Sequence, residues 1–319
     1  MRENACLYMR TLAATGSITR AAAQLYVTPS ALSKYIATLE KEAGSPLFSR
    51  AGNHFVLTHA GKRYLDWAEK IESLEEQMKS EMLDISEQRR GKIRFGVQTS
   101  LGDFMLHSIL PDYVRDYPGI DLAMTEDNSV SLFNRLRHYE IDAAISTHKP
   151  EDSRYHCESL IAMEQVFFVP SSSPLVEKAV KREDCLFPWV SLEDCKEERL
   201  ILMHRGQAPR ANMEEFFGPV LGEMRVALEV RQLRSMFEAV NNGLGILVGG
   251  DGMERLFLAN WQNLVKLCCR DDMPPTVFYL IYQEDVHRSL AMEAFFQLIR
   301  ERFRILEEQI RGGNLRGLG

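Results

Sequence analysis

The sequence predicts three parts in series: an N-terminal all-α module with a small hairpin, one long linker helix, and a C-terminal α/β domain of two lobes. Three observations predict it. The stretch Thr15 to Leu57 holds two short helical patterns around a tight turn, then a hairpin pattern. A charge-rich helical pattern follows from Ala60 to Gln88, with no Pro and no Gly after Gly61. From Lys92 onward strand and helix patterns alternate, which implies parallel pairing and a doubly wound sheet.

Residues 5–14 (ACLYMRTLAA) read as a first helix. Gly16-Ser17 breaks it, and Ser17 is a good N-cap for a short helix from Ile18 to Gln24. Ala21, Ala22 and Leu25 give that helix a small face on which another helix can close. Tyr26-Val27-Thr28 is the tight turn; Thr28 caps the next helix and Pro29 takes its first position, where a missing N–H costs nothing. Leu32, Ile36, Leu39 and Ala43 form its inward stripe, and Gly44 ends it. Ser30, Ser33, Lys34 and Thr38 lie opposite, short hydrogen-bonding groups and one cation suited to base edges and phosphates. Arg50 to His54 reads as a hairpin tip between Phe48 and Phe55-Val56-Leu57. Together these make a winged helix-turn-helix, with a wing placed to touch backbone or minor groove.

The blocks Gly16-Ser17-Ile18-Thr19-Arg20-Ala21-Ala22, Val27-Thr28-Pro29-Ser30-Ala31-Leu32-Ser33, Leu39-Glu40 and Pro46-Leu47-Phe48-Ser49-Arg50 carry a resemblance. In that order they resemble the N-terminal module of LysR-type transcriptional regulators. The chain departs from that pattern at Thr28-Pro29-Ser30, where relatives often carry Gln-Pro, and at Lys34, where they usually carry Arg. Lysine lacks the planar fork that reads guanine, so the base preference should differ. The resemblance implies that Thr28, Pro29, Ser30, Ser33, Lys34 and Thr38 face the major groove. It implies that Thr19, Arg20, Arg50 and Thr58 hold phosphates or the minor groove.

Charge is distributed to match. The chain has a net charge of −7, but residues 1–63 hold eight Lys/Arg against three Asp/Glu, a net of +5, leaving −12 for the rest. A basic module on an acidic body is the distribution a DNA binder needs. The hydrophobic fraction of 45% is that of an ordinary globular protein. No apolar run approaches the roughly 20 residues needed to cross a bilayer, and the first residues lack a signal-peptide core, so a cytoplasmic protein with no membrane partner is expected.

In the long helix Tyr64, Ile71, Met78 and Ile85 recur every seven residues, with Trp67, Leu74 and Met82 between them. That is a coiled-coil-like seam, favouring a homodimer over a surface helix packed on its own domain. A dimer would hold two recognition helices about one DNA turn apart and bind a pseudo-palindromic operator of double-stranded DNA. The resemblance adds tetramers through the C-terminal domain and RNA polymerase as a further partner.

The expected boundaries are 1–59 for the winged helix-turn-helix, 60–90 for the linker helix, 91–311 for the C-terminal domain and 312–319 for a flexible tail. Strands are expected at Ile93–Val97, Ile120–Thr125, Ile141–Ser146, Val166–Val169, Leu200–Met203, Val226–Val230, Gly245–Val248, Leu264–Cys268 and Val277–Tyr282. Helices are expected at Leu101–Tyr117, Val130–Tyr139, Asn212–Phe217, Leu233–Asn241 and Val286–Ile310. Two crossings divide this domain into lobe I (91–164 and 267–311) and lobe II (165–266), a clamshell. It resembles the periplasmic-binding-protein-like (type 2) effector domain of the same family, matching at Phe95-Gly96, Asn128-Ser129, Glu140 to Ile145 and Asn242 to Ile246.

Ligands of open α/β sheets bind beyond the carboxyl ends of strands. Thr99, Ser100, Asn128, Ser129 and Thr147 follow such ends in lobe I, and Arg205 and Gln207 in lobe II. Their hydroxyl, amide and guanidinium groups suit a small polar or anionic effector bound between the two lobes. Helix capping is the competing reading for each hydroxyl, and Arg205, Arg210, Arg231 and Arg234 read equally well as solvated. No nucleophile motif, phosphate loop or zinc motif is present, and His107, His138, His148 and His156 are too scattered for a metal; no enzyme activity and no cofactor are expected. Two other readings stay open: a thiol-based redox switch using Cys185 and Cys195, and a solute-binding clamshell with an incidental N-terminal module.

Overall fold

The computed structural model describes residues 4–52, 54–85, 91–205, 210, 213–214, 223–268, 274–284 and 288–313. The chain falls into two units, Met1–Gln88 with Arg137–Glu140, and Arg89–Leu136 with Ile141–Gly319.

The first unit holds α1 (Ala5–Thr15), α2 (Ile18–Gln24), α3 (Pro29–Ala43), β1 (Phe48–Ala51), β2 (His54–Leu57) and α4 (His59–Ile85). Its caps follow from the sequence. Ser17 Oγ accepts from Arg20 N, Thr28 Oγ1 accepts from Ala31 N, and Gly44 leaves α3 with a left-handed φ of 67°. Ala21 and Ala22 are fully buried, so the helices close on a core of Met9, Leu12, Leu32, Ile36, Leu39, Leu47 and Leu65. Each such large side chain contributes about 1.5–3 kcal/mol on burial. The inward stripe of α3 holds except at Ala43, which is exposed because the helix ends there and the chain turns away at Gly44. β1 and β2 pair antiparallel with Ala51 opposite His54, the expected wing; Asn53 at its tip lies outside the described residues.

The second unit contains β3 (Gly91–Gln98), β4 (Ile120–Asp127), β5 (Ala143–Ser146), β6 (Tyr155–Met163), β7 (Gln165–Pro170), β8 (Arg199–Met203), β9 (Arg225–Val230), β10 (Leu247–Gly250), β11 (Leu264–Leu267) and β12 (Thr276–Gln283). A five-stranded sheet has the order β4-β3-β5-β12-β6. Its first three strands are parallel, while β12 runs antiparallel to both neighbours, so the sheet is mixed rather than wholly parallel. The edge strand β6 is missing from the sequence expectations. Its His156, Glu158 and Ser159 interrupt the apolar run that marks a buried strand, as an edge permits.

The helix expected over Leu101–Tyr117 is a series of short pieces: a 3-10 turn at Thr99–Leu101, α5 (Gly102–Phe104), a π turn at Met105–Ile109 and α6 (Leu110–Asp116). Pro111 supplies no backbone donor within the run, and the register shifts there. α7 is Ser129–Arg137, α8 Pro174–Lys178, α9 Leu192–Cys195, α10 Leu233–Asn241 and α11 Leu290–Gly313. Thus α11 extends into residues 312–313, where a tail is expected. The helix expected over Asn212–Phe217 falls mostly outside the described residues, with Met213 and Glu214 helical.

Lobe II pairs β10 and β11 antiparallel to β7, and β8 parallel to β9. The strand expected at Gly245–Val248 lies two residues later, at Leu247–Gly250, so it takes in Gly249 and Gly250. Gly250 is required there, since a Cβ would stand 2.7 Å from that of Met163.

The chain passes between the five-stranded sheet and the β10-β7-β11 sheet twice, at β6–β7 and β11–β12. Beside the first passage Asp251 is buried, with its N–H donating to Glu164 O. Lys266 Nζ donates to the Asp251 carbonyl and pairs with Glu254 Oε1 at 2.5 Å. Burial, with Glu254 and Glu164 nearby, pushes the Asp251 carboxyl up to about 6 against the pull of Lys266. The folded state therefore holds an extra proton between about pH 4 and 6, and stability is lost as pH rises through that window. Asp251→Asn should make the chain about 2–3 kcal/mol more stable than wild type at pH 8 and nearly equal at pH 4, measured by urea unfolding.

Candidate functional site

On α3 the residues Pro29, Ser30, Ser33 and Lys34 are exposed, opposite the buried Leu32, Ile36 and Leu39. Thr28 is exposed but its hydroxyl caps the helix. Thr38 is half-buried, and its Oγ1 donates to Lys34 O at 2.8 Å. Thr19 and Arg20 lie at the start of α2, and the exposed Arg20 guanidinium donates to Thr15 O. On the wing the exposed Arg50 guanidinium lies 5.1 Å over the Phe55 ring, which orients a cation without an opposing charge. Thr58 Oγ1 donates to Pro46 O and accepts from Gly61 N, so its proton is committed to the start of α4.

Glu40 carries no functional signal in the sequence beyond its place beside Leu39. Its Oε1 accepts from Leu47 N at 2.8 Å and Phe48 N at 3.1 Å, fixing the strand of the wing to the recognition helix. Phe55 N adds a bond to Gly16 O, so the wing is tied from two sides.

On α4 Trp67, Ile71, Leu74, Met78 and Met82 are all exposed, Leu74 at 58%. They share the expected seam, but its Tyr64 is half-buried against the core of the first unit, and the side chain of Ile85 lies outside the described residues. The hinge expected at Arg89-Arg90 lies outside the described residues.

In lobe I the ends of β3, β4 and β5 lie side by side. Gln98 Oε1 accepts from Thr147 N at 2.9 Å and Thr147 Oγ1 at 3.0 Å, joining two of these ends. Thr99 is exposed and Ser100 half-buried in the turn after β3. Asn128 Oδ1 accepts from Ser131 N, the capping arrangement. Ser129 is buried and its Oγ accepts from Ser146 Oγ at 2.8 Å, so it braces the strand end from behind. The Ser131 hydroxyl, donating to Asp127, holds that carboxyl below the usual range.

In lobe II Arg205 is exposed after β8, its Nε 3.9 Å from Glu214 Oε1. Gln207 lies outside the described residues. Arg210 is buried instead, paired with Glu214 at 2.7 Å and Glu229 at 3.1 Å, a structural role. Two contacts join the lobes near these ends: Arg234 Nη1 to Asp103 Oδ2 at 3.4 Å, and His107 Nε2 to Leu256 O at 3.2 Å. Neither pairing has a sequence signal, because the partners are more than a hundred residues apart.

His138, isolated in the sequence, has Nδ1 2.6 Å from the buried Glu69 Oε2. Glu69 holds this imidazole above its ordinary range. No helix is long and apolar enough to cross a membrane among the described residues.

The chain thus carries a winged helix-turn-helix and an α/β domain with polar strand ends. Residues 4–62 match the family "Bacterial regulatory helix-turn-helix protein, lysR family", and residues 86–304 match "LysR substrate binding domain". The chain belongs to the LysR family of DNA-binding transcriptional regulators, which are not enzymes. It is 26% identical to the HTH-type transcriptional activator CmpR of Synechocystis sp., over 90% of this chain and 91% of that protein. It is 25% identical to the RuBisCO operon transcriptional regulator of Allochromatium vinosum, over 89% and 90%. In fold it is similar to a full-length OxyR variant from Pseudomonas aeruginosa, with TM-score 0.65 and 19% identity over 96% and 95% of the chains. It is also similar to full-length CbnR complexed with its target DNA, with TM-score 0.59 and 17% identity over 95% and 100%.

Proposed function

We propose that this regulator acts in the cytoplasm as a dimer joined through α4, reads a pseudo-palindromic operator with α3, and is switched by a small polar or anionic effector at the strand ends of lobe I. The observation that carries the reading is the row of large apolar side chains exposed along α4. A monomer gains nothing from placing Trp67, Leu74, Met78 and Met82 in water on one helix face, and a second copy of the same face covers them. Pairing through this helix brings two recognition helices together, and the modest basic charge of each module then acts twice.

Ser30, Ser33 and Lys34 are the groups open to base edges, and Arg50 is placed for the backbone or minor groove. Around Gln98 and Thr147, Thr99, Ser100 and Asn128 offer donors to an effector, with Arg205 as a counter-charge from lobe II. Effector binding acts by favouring one arrangement of the lobes over another, and the Arg234–Asp103 pair is a contact that such a change would make or break. Assembly into tetramers and contact with RNA polymerase extend the same reading.

Lys34→Ala tests the role of α3. Operator affinity should fall by about 1–3 kcal/mol per contact and the salt slope should flatten, with far-UV dichroism and oligomer size unchanged. Unchanged affinity across a salt series removes Lys34 from recognition.

The thiol-switch reading finds less support. Cys195 is fully buried in the lobe II core, away from an oxidant in solution. Burial and the neighbouring Glu72 push the Cys6 thiol up to about 12, away from the reactive thiolate. The solute-receptor reading falls with the helix-turn-helix match at residues 4–62.

A further inference from the structure

We propose that Asp66, Glu69 and His138 form a binding site for one divalent transition-metal cation of the zinc class, using none of the residues assigned to DNA or to the effector. The spacing Asp66 to Glu69 places two carboxylates on one face of α4. His138 comes from the Arg137–Glu140 stretch, which belongs to the same unit as α4. One donor atom from each of the three residues lies within 4.8 Å of the other two. A tetrahedral ion with bonds of about 2.0–2.2 Å needs donors roughly 3.3–3.6 Å apart, which small side-chain rotations supply.

The chemistry of the donors selects the ion. One imidazole nitrogen with two carboxylates is the mixed nitrogen and oxygen set that zinc, cobalt or manganese accept, whereas calcium and magnesium prefer oxygen alone. Three protein donors leave a fourth position for water.

Charge balance points the same way. Glu69 is 5% exposed, and a buried carboxylate needs compensation. His138 as an imidazolium compensates one carboxylate only. Asp66 shares that imidazolium with Glu69 and pairs with Arg63, 3.3 Å away and mostly in solvent, a pair of small worth. A divalent cation with neutral His138 balances both carboxylates at once. Tyr139, immediately after His138, has a φ of 55°, a left-handed conformation that costs a non-glycine residue energy and that the turn presenting His138 retains.

An ion here ties α4 to the Arg137–Glu140 stretch more strongly than one hydrogen bond does. Zinc-class ions bind the deprotonated ligands, so binding releases protons.

The test is titration of the full, untagged chain, stripped with EDTA and dialysed, with Co(II) in visible spectroscopy. The expected result is one Co(II) per chain with a saturable visible band that Zn(II) abolishes. His138→Gln and Glu69→Gln should each weaken binding at least tenfold with far-UV dichroism unchanged. Asp66→Asn, at a partly exposed position, gives a third variant should Glu69→Gln fail to fold, and it too should weaken binding. No saturable band in the wild type overturns the proposal, as does a band that survives unchanged in His138→Gln and Asp66→Asn.

Discussion

Leu74→Glu should convert the chain to a monomer and abolish operator binding at nanomolar protein. Leu74 stands at the middle of the α4 seam with its side chain largely in solvent. In a dimer it would face its own copy, so the substitution buries two like charges against each other and removes two apolar contacts. Uncompensated burial of charge costs several kcal/mol, more than the interface of one helix pair can lose. The loss of bivalent contact then lowers operator affinity by about 10²–10⁴, the range expected when a second site no longer binds intramolecularly. Sedimentation equilibrium and DNA titration of the same sample check both halves. Glu75→Leu, one position round the helix, is the control and should leave the dimer intact. A Leu74→Glu protein that remains dimeric with wild-type affinity removes α4 from the interface.

Gly61→Ala should be the most damaging single methyl group in the N-terminal unit. A Cβ at residue 61 would lie 1.9 Å from Leu47 O and 2.9 Å from Leu47 C, both backbone atoms that cannot rotate away. The same carbonyl accepts from Thr58 N, and Gly61 N donates to Thr58 Oγ1, so the clash falls on the joint between wing and α4. Overpacking of this kind costs about 3 kcal/mol, the upper part of the usual range. Hydrogen exchange of amides in α1 to α3 should therefore speed up roughly a hundredfold, since about 1.4 kcal/mol is a factor of ten. Exchange in β3 to β5 should stay at the wild-type rate. Gly44→Ala gives the contrast: no atom lies within 4 Å of its Cβ, and only the left-handed φ of 67° opposes it. That costs about 1–2 kcal/mol. Equal effects at the two glycines would show that the close approach to Leu47 is not what decides.

Both substitutions fall where local sequence signals are strong. The two helices of the turn were legible because their boundaries are set by local devices: Ser17 and Thr28 as caps, Pro29 at the first helical position, Gly44 in the left-handed region. The α4 helix was legible because a helical period survives over many residues. What failed was information held at long range. The β6 edge strand pairs with β12 more than a hundred residues later, and its polar residues gave no strand signal. The break at Pro111 was visible as a proline, but its π turn depends on how the segment packs. The strand ends of lobe I were legible from the alternation of strand and helix. The division of labour among their side chains was not, because a hydroxyl that caps a helix and one that faces a ligand look alike in sequence. Ser129 shows this, buried against Ser146. Glu40 and the His138–Glu69 pair show it for charges, whose partners only the fold brings near.

A dimer that reads duplex DNA through α3 and is joined through α4 leaves a signature in the sites it selects. Bound duplexes would be selected from a random-sequence pool, and the winners footprinted across a salt series. The expected result is enrichment of a pseudo-palindrome whose half-sites lie about one or two helical turns apart, with affinity falling steeply as salt rises. Enrichment of a single half-site, or binding indifferent to sequence at every salt concentration, would refute the dimeric, sequence-reading mode of action.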